Sequence, residues 1–438
     1  VRETSWYALG LLQRDRPGDR ARAIRALDAV LGQQFHEPGE RWDGTFYRAP
    51  EEAHPPPTAQ MWTDYDPNWR EFIGTTFALI LLDHRTQLPP ELTLRLGKSI
   101  QQSIAGEIQE NRLKASYTNI SLMYGFLWNY AAKQFNRPEW IRPSENWTRA
   151  VYQGFKEHNA FNEFNSPTYY GVDLYGLSLW RVHGGTPAIR QMGADMEAAL
   201  WRSIAQFYHA GLKNMAGPYD RSYGMDMRRY VSLLGLWLRT VLPANTAPFP
   251  ELREPLEHAD DLMFAPCAVS VATKIPEDAM AHFRKFQGER LVEQRITGER
   301  VATAWIGKDV LLGAESTGFT KESGSPRSQF HPVTIHWTVP SGAQKEDVGW
   351  IRLIQSPRIN ARAERDKITI TAIGDARFRI SAPGLQPSRI VRDHWVLPGL
   401  TVDVDTDARS AEVVPGDGYV DVVYHQATRY KLITASSS

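Results

Sequence analysis

Residues able to move a proton and hold an anion gather in two short stretches of this 438-residue chain. The first runs Glu163-Phe164-Asn165-Ser166-Pro167-Thr168-Tyr169-Tyr170. The second begins with His209 and continues through Pro218-Tyr219-Asp220-Arg221-Ser222-Tyr223-Gly224. Together they offer an amide, an imidazole, a guanidinium and several phenols, a set suited to taking a proton from a carbon beside a carboxylate. An amide donor such as Asn165 next to that carboxylate delocalises charge as the proton leaves, and preorganised donors of this kind are worth about 3 kcal/mol of barrier. A phenol acts as a base at neutral pH only where cations or donors hold the phenolate. Arg221, and His209 when protonated, are candidates for that task, while neutral His209 can also take the proton itself.

Structural roles compete for the same residues. Asn-Ser-Pro at 165–167 is a strong helix start, His209 ahead of Ala210-Gly211 suits a last helical turn, and Arg221 can pair with Asp220 or Asp226. A second cluster comprises Trp62, Asp64, Tyr65, Asp66, Asn68, Trp69 and Arg70. Flat aromatic faces with polar tips suit sugar rings, so Trp62, Trp69, Arg70, Asn119, Tyr169 and Tyr170 are the substrate-binding candidates; either tryptophan can instead seal the base of a helix. Asp64 and Asp66 lack the spacing of a calcium loop, and no metal site or cofactor is expected. A phosphate-cradling glycine loop, a Gly-x-Ser-x-Gly elbow, a His-Glu-x-x-His pair and a dinucleotide fingerprint are all missing, which removes several large enzyme classes.

The elements that must position these groups change character along the chain. Residues 1 to about 245 repeat apolar residues at helical spacing, as in Trp6-Leu9-Leu12, Phe77-Ile80-Leu81, Leu122-Phe126-Tyr130 and Leu174-Leu177-Trp180. Prolines in Asp66-Pro67, Pro89-Pro90, Arg142-Pro143, Ser166-Pro167 and Thr186-Pro187 mark helix starts. The reading is an α+β multidomain chain: an (α/α) helical toroid of roughly ten helices over 1–248, a proline-rich linker over 249–260, and an antiparallel β-sandwich over 261–438. The β region carries period-two runs such as Val402-Val404 and Val420-Val422-Tyr424. Its turns are expected at Gly288, Thr297-Gly298-Glu299, Ser323-Gly324, Gly374-Asp375 and Pro415-Gly416-Asp417-Gly418, with Ser436-Ser437-Ser438 a frayed tail.

Fifty basic residues balance fifty acidic ones, so net charge points to neither nucleic acid nor an anionic membrane as partner. A single cysteine, Cys267, excludes an internal disulfide. The absence of a membrane-spanning run, the start at Val1 and the sequons Asn119-Ile120-Ser121 and Asn146-Trp147-Thr148 lean towards a secreted protein.

The order Asn165, His209 and then a tyrosine, the loop from Trp62 to Phe72, and the β segments Ala304 to Gly313 and Arg327-Ser328-Gln329-Phe330-His331-Pro332 resemble the polysaccharide lyases built from an incomplete toroid and antiparallel sheets, the group of chondroitin, hyaluronan and heparin lyases. That resemblance implies metal-independent β-elimination at a uronic acid in an acidic poly- or oligosaccharide. In it Asn165 and Arg221 sit on the carboxylate, and His209 and Tyr219 or Tyr223 serve as base and acid. The chain departs from the group in a shorter helical part and in an arginine lying close to Tyr219. The competing readings are a toroid glycoside hydrolase, with Glu163, Asp173, Asp220 and Asp226 as its carboxylates, and a non-catalytic carbohydrate-binding protein.

Overall fold

The computed structural model describes residues 1–252, 255–322, 328–340, 347–355 and 358–436. The expectations placed on Arg253-Glu254, Ser323-Gly324, Arg327 and Ser437-Ser438 lie outside the described residues. The chain divides into two compact units. The first is Val1–Lys156 with Gly171–Glu197 and His258–Lys274; the second is Glu157–Tyr170 with Ala198–Glu257 and Ile275–Ser438.

Helices dominate the first 240 residues: α1 Arg2–Arg14, α2 Asp19–Leu31, α3 Trp69–Asp83, α4 Pro90–Glu110, α5 Thr118–Gln134, α6 Pro138–Lys156, α7 Tyr169–His183, α8 Pro187–Phe207 and α9 Leu233–Arg239. In the first unit α1 packs on α2, α3 on α4 and α5 on α6, the antiparallel hairpins expected of short connections. Helix α3 is apolar almost all round, and Ile73, Phe77 and Ile80 are fully enclosed, so it is a core helix rather than an amphipathic one. Proline opens α4, α6 and α8, where its missing N–H has no intrahelical partner to lose. Pro143 is a correction: it lies inside α6, whose start is Pro138.

A second correction concerns residues 261–284, expected to belong to the β region, together with the end of the expected linker. They form a short 3-10 turn, Ala259–Phe264, and helices α10 Ala265–Val271 and α11 Glu277–Arg284. Period-two apolar pairs are too short there to outweigh helix starts such as Pro276 ahead of Glu277-Asp278.

Two short strands, β1 Tyr208–His209 and β2 Asn214–Met215, form a hairpin. The remaining strands belong to one antiparallel sheet: β3 Arg290–Arg295, β4 Val301–Ile306, β5 Val310–Ser316, β6 Val333–Val339, β7 Asp347–Gln355, β8 Ile359–Glu364, β9 Lys367–Ser381, β10 Ile390–Val391, β11 His394–Leu397, β12 Leu400–Thr406, β13 Ser410–Pro415 and β14 Val420–Ser436. Its order is β10-β11-β12-β14-β9-β7-β6-β5-β4-β3, with β13 on β14 and β8 touching both β5 and β9. Strands β5, β6, β7, β9 and β8 therefore close a ring, where two separate sheets of a sandwich were expected. Closure gives β8 a neighbour on each side, β9 and β5, while the path still ends at β10 and β3. Alternation supplies the core: Leu400, Val402 and Val404 face in with Trp395, Phe378, Tyr424 and Tyr430, each large side chain contributing roughly 1.5–3 kcal/mol by burial. Gly374, expected at a turn, sits inside β9 at φ 118° opposite a register shift in β14, so it serves a bulge.

Candidate functional site

The loop from Ala216 to Gly224 is held from two sides, all within the second unit. On one side Asn165 adopts the left-handed region at φ 55°, which asparagine tolerates. Its Nδ2 donates to the carbonyls of Ala216 and Pro218, both at 2.8 Å. The Asp220 amide donates to Phe164 O at 3.1 Å, and the Phe164 amide returns a bond to Asp220 Oδ2 at 2.9 Å. On the other side Tyr219 and His331 exchange two backbone bonds of 3.0 and 2.8 Å, and the Ser222 amide donates to Gln329 O at 2.9 Å. Gly217 is drawn against the sheet by Thr334 Oγ1 at 3.0 Å. Only glycine fits opposite it, because a Cβ on Gly313 would lie 2.1 Å from Gly217 O.

This pinning turns Tyr219 and Ser222 inward and leaves Arg221 and Tyr223 partly exposed. There the hydroxyls of Tyr169 and Tyr223 are 2.7 Å apart. The Arg221 guanidinium carbon lies 4.1 Å from the centre of the Tyr169 ring, and its Nε donates to Gln329 Oε1 at 2.8 Å. Glu163 Oε1 is 4.0 Å from Arg221 Nη1. Burial above all, and then Tyr223, pushes the Tyr169 phenol well above its ordinary range, while Arg221 opposes the shift. Tyr169 thus keeps its proton, and either hydroxyl can donate across the pair. Glu163 is also raised, by burial first, and its Oε2 has no hydrogen-bond partner among the described residues.

Beneath this cluster Asp220 accepts from Arg300 and Lys321, and Arg300 Nε donates to Glu315 at 2.8 Å. Burial first, and Asp220 second, pushes Glu315 up to about 7. The carboxylate of Asp220 is thereby spent on holding the loop. Asp226 is similarly engaged by Arg228 and Asn214.

Three residues expected to do chemistry are placed as framework instead. Both N–H bonds of Asn165 go to backbone carbonyls, so its amide has no donor left for a ligand. His209 accepts from the Leu212 amide at Nδ1, 3.0 Å, so its proton is on Nε2, which donates to Lys308 O at 3.0 Å. Its ring stacks on Phe286 with centres 4.4 Å apart, and burial lowers its pKa. Tyr219 donates its hydroxyl to Met215 O, and burial holds its pKa far up. Only Tyr219 of the three lies on the loop itself; Asn165 braces it from outside and His209 sits in β1.

The first unit treats its candidates in the same way. Arg70 is fully buried, with Nη1 on Glu110 at 2.6 Å and Glu107 at 3.2 Å, and Nε and Nη2 on Asp43 O at 3.0 and 2.7 Å. Trp69 and Asn119 are buried, as is Tyr170 in the second unit; a buried Asn119 also offers no glycan acceptor. Trp62 alone among the first-unit candidates presents its ring to solvent, 52% exposed at φ 64°. Its amide donates to Tyr65 O at 2.7 Å and its carbonyl accepts from Arg48 at 3.2 Å. Gln329, Lys321, Arg300 and Glu315 were missed. Gln329 lies in a run whose only sequence signal is its sheet pattern, and the others carry no local motif.

The chain thus pairs helical hairpins in one unit with a self-closing antiparallel sheet in the other, and its exposed phenol and guanidinium cluster is built on the latter unit. It belongs to the family described as Domain of unknown function (DUF8769), which matches residues 1–273; residues 288–423 match a second, Domain of unknown function (DUF8770). No curated protein matches it in sequence. Among solved structures it is similar to heparinase III at 9% identity and a TM-score of 0.43, covering 87% of this chain and 71% of that one. It is also similar to a Streptomyces coelicolor A3 chondroitin AC lyase in complex with chondroitin sulphate, at 10% identity and 0.34, covering 99% and 92%. A third is the Clostridium thermocellum endoglucanase CelQ complexed with cellotriose, at 11% identity and 0.23, covering 100% and 83%.

Proposed function

We propose that the chain is a carbohydrate-active lyase that breaks a uronate linkage by β-elimination at the Tyr169, Arg221 and Tyr223 cluster. The observation that carries the reading is the phenol pair at 2.7 Å with a guanidinium stacked 4.1 Å from one ring. Arg221 binds the uronate carboxylate and withdraws charge from it, which acidifies the neighbouring C–H. Tyr223, whose oxygen lies within hydrogen-bond reach of the Tyr169 hydroxyl, takes that proton. The freed electron pair becomes the ring double bond, the C–O bond to the leaving sugar breaks, and the phenol returns the proton to the departing oxygen. No water is consumed. General acid and base groups in such positions supply about 10²–10⁴ of rate. Trp62, in its own unit, is proposed as a stacking platform for a sugar ring.

The test is the ultraviolet absorbance of an unsaturated uronate during incubation with uronate polysaccharides and uronate-capped glycans. A rise that vanishes in Tyr223→Phe supports elimination. A second reading rests on Glu163, whose raised carboxyl suits a general acid of a hydrolase. New reducing ends without absorbance, lost in Glu163→Gln, would move the assignment there.

A further inference from the structure

A cleft of about 530 Å³ opens in the first unit between the end of α2, the face of α4 that carries Arg95, Lys98 and Gln102, and Arg137 just before α6. Three permanent cations line it and no carboxylate does. The flanking acids act from outside: Asp28 holds Arg95 at 2.6 Å and Glu139 holds Arg137 at 2.6 Å, both exposed pairs that neutralise little in water. Arg137 is fixed further by lying 4.1 Å over the Trp140 ring. Asp43, which could repel an anion, is capped by Gln102, whose Nε2 reaches both of its oxygens at 2.8 Å.

The wall holds a second, independent sign of a ligand. Ser99 is 3% exposed and its Oγ is buried without a hydrogen-bond partner among the described residues, although its carbonyl accepts from Gln34 at 3.1 Å. Buried hydroxyls are nearly always partnered, by protein, water or ligand. Cations with no acid among them, side-chain amides and a hydroxyl awaiting a partner together describe the needs of a hydroxylated anion, and the volume suits one or two sugar rings.

We infer that this cleft is a binding site for an anionic saccharide, with Lys98 and Arg137 on its carboxylate or sulfate and Ser99 on a hydroxyl. The site is independent of the reaction proposed for the second unit. Its test is calorimetric titration of the full chain in an Arg221→Ala background, so that the proposed lyase site contributes little, with digalacturonate, a sulfated disaccharide and cellobiose as probes. Binding of either charged probe, weakened about tenfold by Lys98→Glu and about threefold by Ser99→Ala, is the expected result. Preference between the two charged probes tells carboxylate from sulfate. Ser99→Ala removes an unpartnered hydroxyl and leaves the fold intact, which thermal unfolding checks. Equal binding of cellobiose, no binding of either charged probe, or affinities unchanged in both variants would overturn the inference.

Discussion

His331 lies at the join between the loop from 216 to 224 and the sheet, and its titration gives a sharp measure of that join. It is fully buried, exchanges backbone bonds with Tyr219, and its Nε2 accepts from Arg352 Nη1 at 3.2 Å. Burial first, and Arg352 second, lowers its pKa to about 3. In the unfolded chain the ordinary value of about 6.5 returns. The unfolded state therefore binds more protons between these values, so the contribution is fully present above about pH 6.5 and is lost as pH falls towards about 3. Linkage puts the loss at roughly 2 kcal/mol between about pH 7.5 and about pH 5. Glu315 moves the other way: its folded pKa is raised, so its own contribution weakens as pH rises from the ordinary carboxylate range towards about 7. The two are separated by comparing the wild type with His331→Gln, whose side-chain carbonyl can still accept from Arg352 but does not titrate. Urea unfolding at both pH values should show the variant keeping about 2 kcal/mol more than the wild type on acidification, whatever its offset at neutral pH. A difference between the two proteins that does not change with pH would refute the account of a buried neutral imidazole.

Tyr223→Phe keeps the ring beside Tyr169 and removes one hydroxyl; unsaturated-product formation should fall by about 10²–10⁴ with the melting temperature nearly unchanged. Arg221→Lys keeps the charge but loses the planar fork and the stack on Tyr169, so kcat/KM on a uronate substrate should drop by at least about tenfold, and full activity would count against the carboxylate contact. Gly313→Ala places a Cβ 2.1 Å from Gly217 O, and differential scanning calorimetry should register a loss of about 1–3 kcal/mol, typical of overpacking. Trp62→Gly relieves a left-handed backbone at φ 64° and should stabilise the first unit by roughly 1 kcal/mol while weakening retention on polysaccharide in affinity electrophoresis; unaltered retention would remove the platform role.

The period of the apolar residues made the helices legible, because packing and local geometry ask for the same thing there: Phe77 and Ile80 are core by any reading. It failed at 261–284, where short helices carry too few turns to show a period, and at Gly374, where a bulge and a turn ask for the same glycine. Closure of the sheet was not legible, since β8 meets β5 by a single pair, Ser316 with Asn360. For the candidate site, residue type pointed to this loop but could not tell which side chains face outward. Tyr219 and Tyr223 are equivalent as letters; the antiparallel bridge to His331 sends one inward and leaves the other at the surface. Gln329 and Arg300 come from loops far along the chain, and only the fold brings them to Arg221 and Asp220.

The bonds that secure the loop from 216 to 224 are largely backbone bonds, and the side chains that secure it belong to Asn165, Asp220 and Thr334 rather than to Arg221 or Tyr223. Stability and chemistry are thus assigned to alternate positions of one short segment. Substitutions at 221 and 223 therefore carry little penalty to folding, and the loop keeps its path whatever those two positions present. The same separation means that turnover lost by a folded variant at those two positions reports on the proposed chemistry alone and not on the frame that presents it.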